Sequence, residues 1–297
     1  HRNRVGSDVT STSAPARRVA SAIALALGLS MFGRTDVCMA QTDTVQQAPW
    51  PHPTCNSVAD DYAPSSDLDR QSMLFTSERS GVAQVYRCHG DGRVDLVAGT
   101  LNLSGRARGF VSLAPDGSGL ATSYRMGLRQ SFASIISVLR TPSGLDEGPA
   151  LESAGGEFFA AQASIAPDQS RLLFVSDREG GLGGTDIWMM ERRQDGSWSG
   201  PHHGGDAINS PANELTPVLI SADTLLFSSD GMGGSGGQDV YMSVARGGRW
   251  SDPVPVTAIN SIWNETDAAR MHDGTYRFSS DRPGGRGGFD IWIWKPE

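Results

Sequence analysis

The chain has 297 residues and a formal net charge of −8. A protein with this acidic balance is repelled by phosphate backbones and anionic lipid headgroups, so the sequence predicts neither a nucleic-acid nor a membrane-surface partner. The longest apolar run, Val19 to Phe32, has about 14 residues. That is short of the ~20 that a membrane-spanning helix needs.

Residues 1–40 have the pattern of a secretory signal peptide. Arg17 and Arg18 precede the apolar run, and Ala40 offers a small residue for cleavage. A basic region, a short apolar stretch and a small residue are the three parts of such a signal. A buried core helix is the alternative for the same run. We therefore expect an exported protein, periplasmic or secreted, with one domain over residues 41–297 and a net charge near −11.

The segment after the leader resembles a strand without its sheet. Residues 50–61 read WPHPTCNSVADD, and residues 250–265 read WSDPVPVTAINSIWNE. Both contain a Trp, a proline-containing extended stretch, Asn-Ser and then an acidic residue. The match predicts that Trp50 to Val58 is the fourth strand of a repeat unit. The C-terminal unit, which has only three strands before Glu297, would provide the other three.

Two loosely repeated units follow this segment. In Ser66 to Gly99, two β-prone runs are joined by the short turn Ser80-Gly81. In Val111 to Ala150, the turn APDG follows the first strand and a longer connection without glycine pairs comes later. Each unit predicts a small antiparallel sheet.

The last three units share a 17-residue motif, LLFVSDREGGLGGTDIW in its first copy. It recurs as LLFSSDGMGGSGGQDVY and YRFSSDRPGGRGGFDIW, with spacings of 53 and 51 residues between the equivalent serines. Two apolar, β-prone runs joined by a glycine loop predict a hairpin. Four-stranded units of about 40–50 residues are typical of β-propeller blades.

These units predict an all-β fold, a β-propeller of five four-stranded blades closed by the N-terminal strand. Units three, four and five are expected to begin near Gln162, Thr216 and Thr266. A six-bladed ring would need about fifty more residues per chain.

The motif S-D-x-x-G-G-x-G-G-x-D-[IV]-[WY], with the following W-S-x-P and I-N-S-x-x-N-E, resembles the TolB-type (PD-repeat, WD-like) propeller repeat of exported bacterial proteins. The resemblance is specific over Gln162 to Ile293 and loose in the first two units. It implies a propeller that binds partners in the periplasm or at the cell surface. The chain shows no accompanying peptidoglycan-binding pattern, which weakens a cell-wall anchor role.

Aspartates flank each glycine loop and form the candidate metal ligands. Hard cations prefer carboxylate and carbonyl oxygens, so calcium is the ion that such loops would hold. The alternative is that each aspartate caps its own hairpin by accepting backbone N–H groups. No other cofactor is indicated. The six residues are Asp177, Asp186, Asp230, Asp239, Asp281 and Asp290.

Three further acids, Asp61, Glu214 and Glu265, precede the expected inner strands at matching places. Carboxylates on separate inner strands could bind a ligand, or serve as acid and base in a glycosidase. Because they recur between blades, an inter-blade ring with arginines is the alternative, using Arg79, Arg125, Arg178 and Arg282. Trp263, which replaces a residue of the Pro-Ala pair of the previous unit, is a candidate ligand platform.

Two cysteines and two histidines complete the candidates. Cys55 and Cys88 remain after the leader, and an exported protein can join such a pair as a disulfide, the alternative being two free buried thiols. His202 and His203 have no other ligands at metal-binding spacing.

The leading hypothesis is a monomeric, non-catalytic module that binds an envelope protein, peptide or glycan. The alternative is a glycosidase-like hydrolase with carboxylates at the mouth of the propeller channel. The two hypotheses differ in what surrounds the acids. Unpaired carboxylates that converge on an open pocket favour the enzyme, whereas arginine-paired carboxylates favour a scaffold.

Overall fold

The computed structural model describes residues 47–103, 107–125 and 132–296, and the regular structure in these ranges is all β. Its strands form five antiparallel sheets, which are the five blades of a propeller. The predicted fold class and blade number are confirmed. The predicted leader lies outside the described residues. Among the described residues, no helix has the length and apolar character needed to cross a membrane.

The strands are numbered in chain order. Blade 1 contains β2 (Asp61–Ser66), β3 (Met73–Ser77), β4 (Gln84–Cys88) and β5 (Val94–Leu96). Blade 2 contains β6 (Ala107–Leu113), β7 (Ser118–Arg125), β8 (Phe132–Thr141) and β9 (Gly144–Ala150). Blade 3 contains β10 (Ala160–Ile165), β11 (Arg171–Ser176), β12 (Asp186–Glu191) and β13 (His202–His203). Blade 4 contains β14 (Glu214–Leu219), β15 (Thr224–Ser229), β16 (Asp239–Arg246), β17 (Arg249–Trp250) and β18 (Val254–Pro255). Blade 5 contains β19 (Glu265–Arg270), β20 (Tyr276–Ser280), β21 (Asp290–Trp294) and β1 (Trp50–Pro51).

The two ends of the chain close the ring in blade 5, as predicted. Trp50 pairs with Ile293 and Pro51 with Trp292. The strand is shorter than the expected Trp50 to Val58, because the chain turns after His52. The side-chain amide of Asn56 then continues the ladder, donating to the Ile291 carbonyl at 2.9 Å and accepting from the Ile291 N–H at 2.9 Å.

The asparagine of the Asn-Ser motif repeats this role in other blades. Asn209 bonds both backbone groups of Ile187, at 2.7 and 3.1 Å, and Asn260 bonds both groups of Val240, at 2.8 and 2.9 Å. Asn102, which is followed by Leu103 and lies outside the motif, does the same at Val85 in blade 1. A side-chain amide has one acceptor and two donors, so it can replace one residue of a strand. The motif therefore extends each short fourth strand.

A disulfide fixes the closing segment to blade 1. Cys55 follows β1, Cys88 ends β4, and the two are bonded with a Cα–Cα distance of 5.8 Å. Both side chains are buried, together with Met73, Phe75 and Ile291. The predicted pairing is thus present in the structure, and it joins the N-terminal segment covalently to the blade beside it.

Every inner strand carries a β-bulge at its third or fourth residue. The bulge residue has a positive φ, between 50° and 57°, in each blade. Its N–H bonds an oxygen of the preceding blade, for example Thr216 to Gln162 Oε1 at 2.9 Å and Ala63 to Asp267 Oδ2 at 3.2 Å. These bonds form a ring around the channel and hold the backbone in a sparsely populated region. The bulge residues are Ala63, Phe110, Gln162, Thr216 and Asp267.

The bulge also explains an error in the predicted strand limits. The inner strands of the last three blades were expected to begin near Gln162, Thr216 and Thr266, yet they begin one to two residues earlier. The inner strands of blades 1 and 2 also start earlier than the predicted units, at Asp61 and Ala107. An extra residue in a strand interrupts the two-residue alternation. The sequence pattern therefore identified only the part of each strand beyond the bulge.

Candidate functional site

The glycine loops and the links into the next inner strand lie on one face of the propeller, here called the glycine-loop face. Gly184 of the blade 3 loop donates to the Ala212 carbonyl at 2.8 Å, and Glu214 N–H donates to Thr185. The last two glycines of each loop have almost no space for a side chain, because the link of the next blade lies against them. The predicted freedom to adopt positive φ is used only by the first glycine, as at Gly180 (93°).

The second aspartate of each pair caps its own glycine loop. Asp186 accepts from the N–H groups of Leu182 and Gly183, at 3.0 and 3.1 Å. Asp239 accepts from Gly236, and Asp290 from Arg286 and Gly287, at 2.7 to 2.9 Å. All three side chains are buried.

The first aspartate of each pair accepts hydrogen bonds from the segment that leads into the inner strand of its blade. Asp230 accepts from the backbone and side chain of Asn213, at 2.7 and 3.0 Å, and Asp281 does the same for Asn264. Asp177 accepts from Phe159 N–H at 2.9 Å. The two aspartates of a pair therefore hold separate segments, the glycine loop and the start of the inner strand. The capping alternative to calcium therefore describes the second aspartate of each pair, whereas the first aspartate bonds a segment outside its own hairpin.

The acids at the start of the inner strands are fully buried. Asp61 pairs with Arg79 and Glu265 with Arg282, both at 2.8 Å. Glu214 has no arginine beside it, since Gly231 takes that place in the motif, and it accepts from the hydroxyls of Ser210 and Ser229 at 2.6 and 2.8 Å. Burial raises the pKa of Glu214, while these hydrogen bonds act against the rise.

Blade 3 lacks the carboxylate, because Ala160 begins its inner strand. Arg178 donates to the Ala154 carbonyl and lies between the rings of Phe174 and Trp188, at 5.1 and 5.2 Å. Burial lowers the pKa of Arg178. The arginine–carboxylate pairs thus lie within blades 1 and 5, not between blades as the expected ring requires, and blades 3 and 4 have no such pair in the described ranges. The Arg125 side chain lies outside the described residues.

Trp263 is 42% exposed on the link between blades 4 and 5. The backbone N–H of Trp263 donates to Ser261 Oγ at 3.1 Å, and its backbone carbonyl lies against Gly236. The indole remains on the glycine-loop face, outside the set of residues that lines the channel mouth.

The channel opens on the glycine-loop face as a cavity of about 200 Å³, here called the channel mouth. A narrower section of about 60 Å³ continues between the inner strands. The mouth combines aromatic rings with hydrogen-bonding groups. Its lining includes Asp60, Tyr62, Phe110, Gln162, Thr216, Asp267 and Phe289.

Asp267 is the most deeply buried acid of the channel mouth. Its Oδ2 atom accepts from Ala63 N–H at 3.2 Å, whereas Oδ1 has no hydrogen-bond partner among the described residues. Burial raises the pKa of Asp267. Burial is also the main reason why the pKa values of Tyr62 and Tyr124 are raised, and the nearby charge of Asp267 adds to both. A buried carboxylate oxygen without a hydrogen bond is costly in a folded protein. A buried carboxyl with a raised pKa in a cavity is a candidate for contact with a ligand.

The sequence reasoning missed Asp267. The three predicted acids precede the bulge and are covered, whereas Asp267 is the bulge residue itself and faces the channel. One signal was present. The equivalent residues of the other four blades are Ala63, Phe110, Gln162 and Thr216, so this position does not repeat and is free to be specialised.

Replacing Asp267 with Asn should raise the free energy of unfolding at pH 7 by about 1 kcal/mol. Asn keeps an acceptor for Ala63 N–H but carries no charge to desolvate. The folded-state pKa of Asp267 is raised, so the folded protein binds its proton more tightly and wild-type stability falls as pH rises above the unfolded pKa. The gain should therefore vanish below about pH 4. Thermal melts of both proteins at pH 4 and pH 7 measure it, and a variant that melts lower at pH 7 would contradict it.

Comparisons with known proteins support the fold. No protein-family model and no curated protein sequence matches the chain. Among solved structures, the endo-arabinase from Bacteroides thetaiotaomicron matches with a TM-score of 0.56 and 15% identity, over 85% of this chain and 98% of that one. The α-L-arabinofuranosidase from Lactobacillus brevis matches with a TM-score of 0.54 and 12% identity, over 82% and 92%. At such identities the similarity concerns the fold alone.

TolB from Acinetobacter baumannii is also similar, with a TM-score of 0.46 and 15% identity over 80% of this chain. The chain spans only 55% of the length of that TolB. The structural neighbours therefore include both TolB proteins and enzymes that act on glycosides.

Proposed function

We propose that this protein is an exported, non-catalytic binding module whose channel mouth recognises a protein, peptide or glycan of the cell envelope. The observation that carries the proposal is the unpartnered Oδ1 of Asp267 beneath a mouth lined by Tyr62, Phe110 and Phe289. Aromatic rings provide contact area for a sugar ring or an apolar side chain. The buried carboxyl then fixes the orientation of the ligand through a hydrogen bond.

The arrangement favours binding over hydrolysis. Glycoside hydrolysis uses two carboxyl groups on opposite sides of the scissile bond. Besides Asp267, the mouth contains Asp60, whose Oδ1 already accepts from Phe289 N–H at 2.9 Å. Asp61 and Glu265, the acids expected for catalysis, are paired with arginines under the surface.

A glycosidase-like hydrolase is the second candidate. It is favoured by the raised pKa of Asp267, since a carboxyl whose pKa is raised by burial keeps its proton to higher pH, as a general acid requires. The fold similarity to the endo-arabinase and the α-L-arabinofuranosidase agrees with it but shows no activity.

The proposal includes location and assembly. The apolar leader supports export to the periplasm or the cell exterior, and the acidic surface supports a partner other than nucleic acid. We propose a monomer that needs no cofactor, because the loop aspartates are already bonded to backbone N–H groups.

The test is a binding screen of residues 41–297 against a glycan array and cross-linked envelope extract. We expect one ligand to be retained by wild type and to bind at least about tenfold more weakly to Phe289→Ala, which removes a mouth aromatic. Asp267→Asn should weaken it too, although that variant is more stable. Trp263→Ala is the matched control, since this exposed aromatic lies on the same face outside the mouth.

Each outcome distinguishes the hypotheses. If Trp263→Ala abolishes binding and Phe289→Ala does not, the ligand site is the link between blades 4 and 5. If wild type releases reducing sugar from a bound polysaccharide and Asp267→Asn does not, the protein is a hydrolase.

A further inference from the structure

A second cavity lies on the outer side of blade 4 and is independent of the channel mouth. Its volume is about 590 Å³, and we call it the blade 4 cleft. Its walls are the link after blade 3, the glycine loop of blade 4 and the segment around β18. The residues that matter here are Asp206, Asp239, Tyr241, Asp252 and Pro255.

The charge of the cleft is one-sided. Three aspartates line it, and no lysine, arginine or histidine is among its lining residues in the described part of the chain. Asp206 and Asp252 are exposed at the rim, whereas Asp239 is only 1% exposed. Negative charges that line a concave surface without nearby positive charges attract cations from solution.

Two buried polar atoms in the cleft lack partners. Asp239 uses Oδ2 to cap its glycine loop, but Oδ1 has no hydrogen-bond partner among the described residues. The Tyr241 hydroxyl, on a side chain that is 3% exposed, has none either within the same described ranges. Buried polar groups are nearly always bonded, so two unpartnered groups on one cavity indicate a ligand position.

Blade 3 provides an internal comparison for this position. The equivalent aspartate, Asp186, has the imidazole of His203 beside it, with Nε2 at 3.4 Å from Oδ1. His203 is the residue in register with Trp188, and in blade 4 the residue in register with Tyr241 is Pro255. A proline side chain offers no N–H donor. In blade 4 no nitrogen of the described residues takes the place of this imidazole beside Asp239 Oδ1.

Blade 5 shows why the tyrosine matters as well. It also has a proline, Pro51, in register with an aromatic residue, and Asp290 Oδ1 is unpartnered. Its aromatic residue is Trp292, whose indole N–H can only donate. A tyrosine hydroxyl can accept from a cation, so blade 4 joins an unpartnered carboxylate oxygen to a second acceptor.

We propose that the blade 4 cleft binds a primary ammonium group, with N–H donation to Asp239 Oδ1 and the Tyr241 hydroxyl. A guanidinium prefers both oxygens of a carboxylate, and Oδ2 of Asp239 is already used by Gly236. An ammonium is compact and needs only single acceptors, so it fits this site better. The rim aspartates attract the cation, and the cleft is large enough for the rest of a side chain or sugar ring.

Burial raises the pKa of Asp239, with Glu265 adding to the effect. A cation bound at Oδ1 stabilises the ionised carboxylate and offsets this desolvation.

The ammonium could belong to a lysine of a partner protein or to an amino sugar. We would titrate the protein by calorimetry and NMR with Nα-acetyl-lysine methylamide and, separately, with glucosamine. Nε-acetylated lysine and N-acetylglucosamine, which lack the charge, are the matched probes. Binding of a charged probe with no binding of its acetylated form supports the proposal, and the tighter charged probe identifies the source.

Three variants locate the site. Tyr241→Phe removes only the hydroxyl and should weaken binding about three- to tenfold, whereas Tyr86→Phe, the same change in blade 1, should leave it unchanged. Pro255→His places an imidazole where blade 3 has one and should abolish binding while the melting temperature is retained. Asp239→Asn, which keeps an acceptor for the loop cap, should weaken binding at least about tenfold.

Several results would overturn the proposal. One is equal binding of acetylated and charged probes. Another is wild-type affinity in Pro255→His. A third is displacement of the lysine probe by an equal concentration of calcium, which would make Asp239 a metal ligand instead.

Discussion

Deletion of residues 47–58 should make the protein aggregate, or lower its melting temperature by more than about 10 °C. The deletion removes β1, the Asn56 amide that continues the ladder, and the disulfide to Cys88. Strand β21 would then be an open edge with its backbone groups unpaired, and such edges recruit other chains. Size-exclusion chromatography and thermal melts measure the effect.

A double variant and a single variant separate the contributions of the closing segment. Cys55→Ser with Cys88→Ser removes only the covalent link, which encloses a separation of 33 residues and should contribute about 3–4 kcal/mol. Asn56→Ala removes only the amide and leaves Ile291 without its two bonds. Both should melt lower than wild type and stay monomeric, since β1 remains. A deletion that stays monomeric with an unchanged melting temperature would refute closure by the N-terminal strand.

Gly236→Ala should cost at least about 3 kcal/mol of stability, among the largest effects of a single substitution in this chain. A Cβ at this position would overlap the backbone carbonyl oxygen of Trp263 in the link to blade 5. Backbone cannot move aside as a flexible side chain can, so blades 4 and 5 would have to separate. Chemical denaturation of wild type and variant measures the difference.

Two controls show whether the effect comes from the contact between blades. Gly200→Ala adds the same methyl group where no atom lies within 4 Å, and it should change stability by less than about 0.5 kcal/mol. Gly234→Ala presses on the Asp239 side chain rather than on backbone, so we expect an intermediate loss. Equal losses in Gly236→Ala and Gly200→Ala would refute the close-approach account and leave only the general cost of restricting glycine.

Much of the fold followed from the sequence because each blade is built from local signals. The glycine motif gave the central hairpin of blades 3, 4 and 5, and the spacing of its copies gave the size of the repeat. The partial copy of the motif at residues 50–61 predicted the closing strand. The segment that follows this strand places Cys55 beside Cys88. The hairpins and the repeat length depend on residues that are close together in the chain, so they can be predicted from a single sequence.

The roles of the acids could not be predicted in the same way. Asp61, Glu214 and Glu265 were candidates for ligand contact because they were expected on separate inner strands, and their repetition favoured the alternative of a scaffold role. A serine-bearing link or an arginine covers each of them. Asp267 and the Asp239–Tyr241 pair reach cavities because of groups distant in the sequence, such as Phe110 and Pro255. Sequence periodicity indicates on which side of its own strand a residue lies, and this was enough to predict the strands of each blade. Which side chain stays uncovered depends on how five separate inner strands and their links meet, and only the tertiary structure decided that.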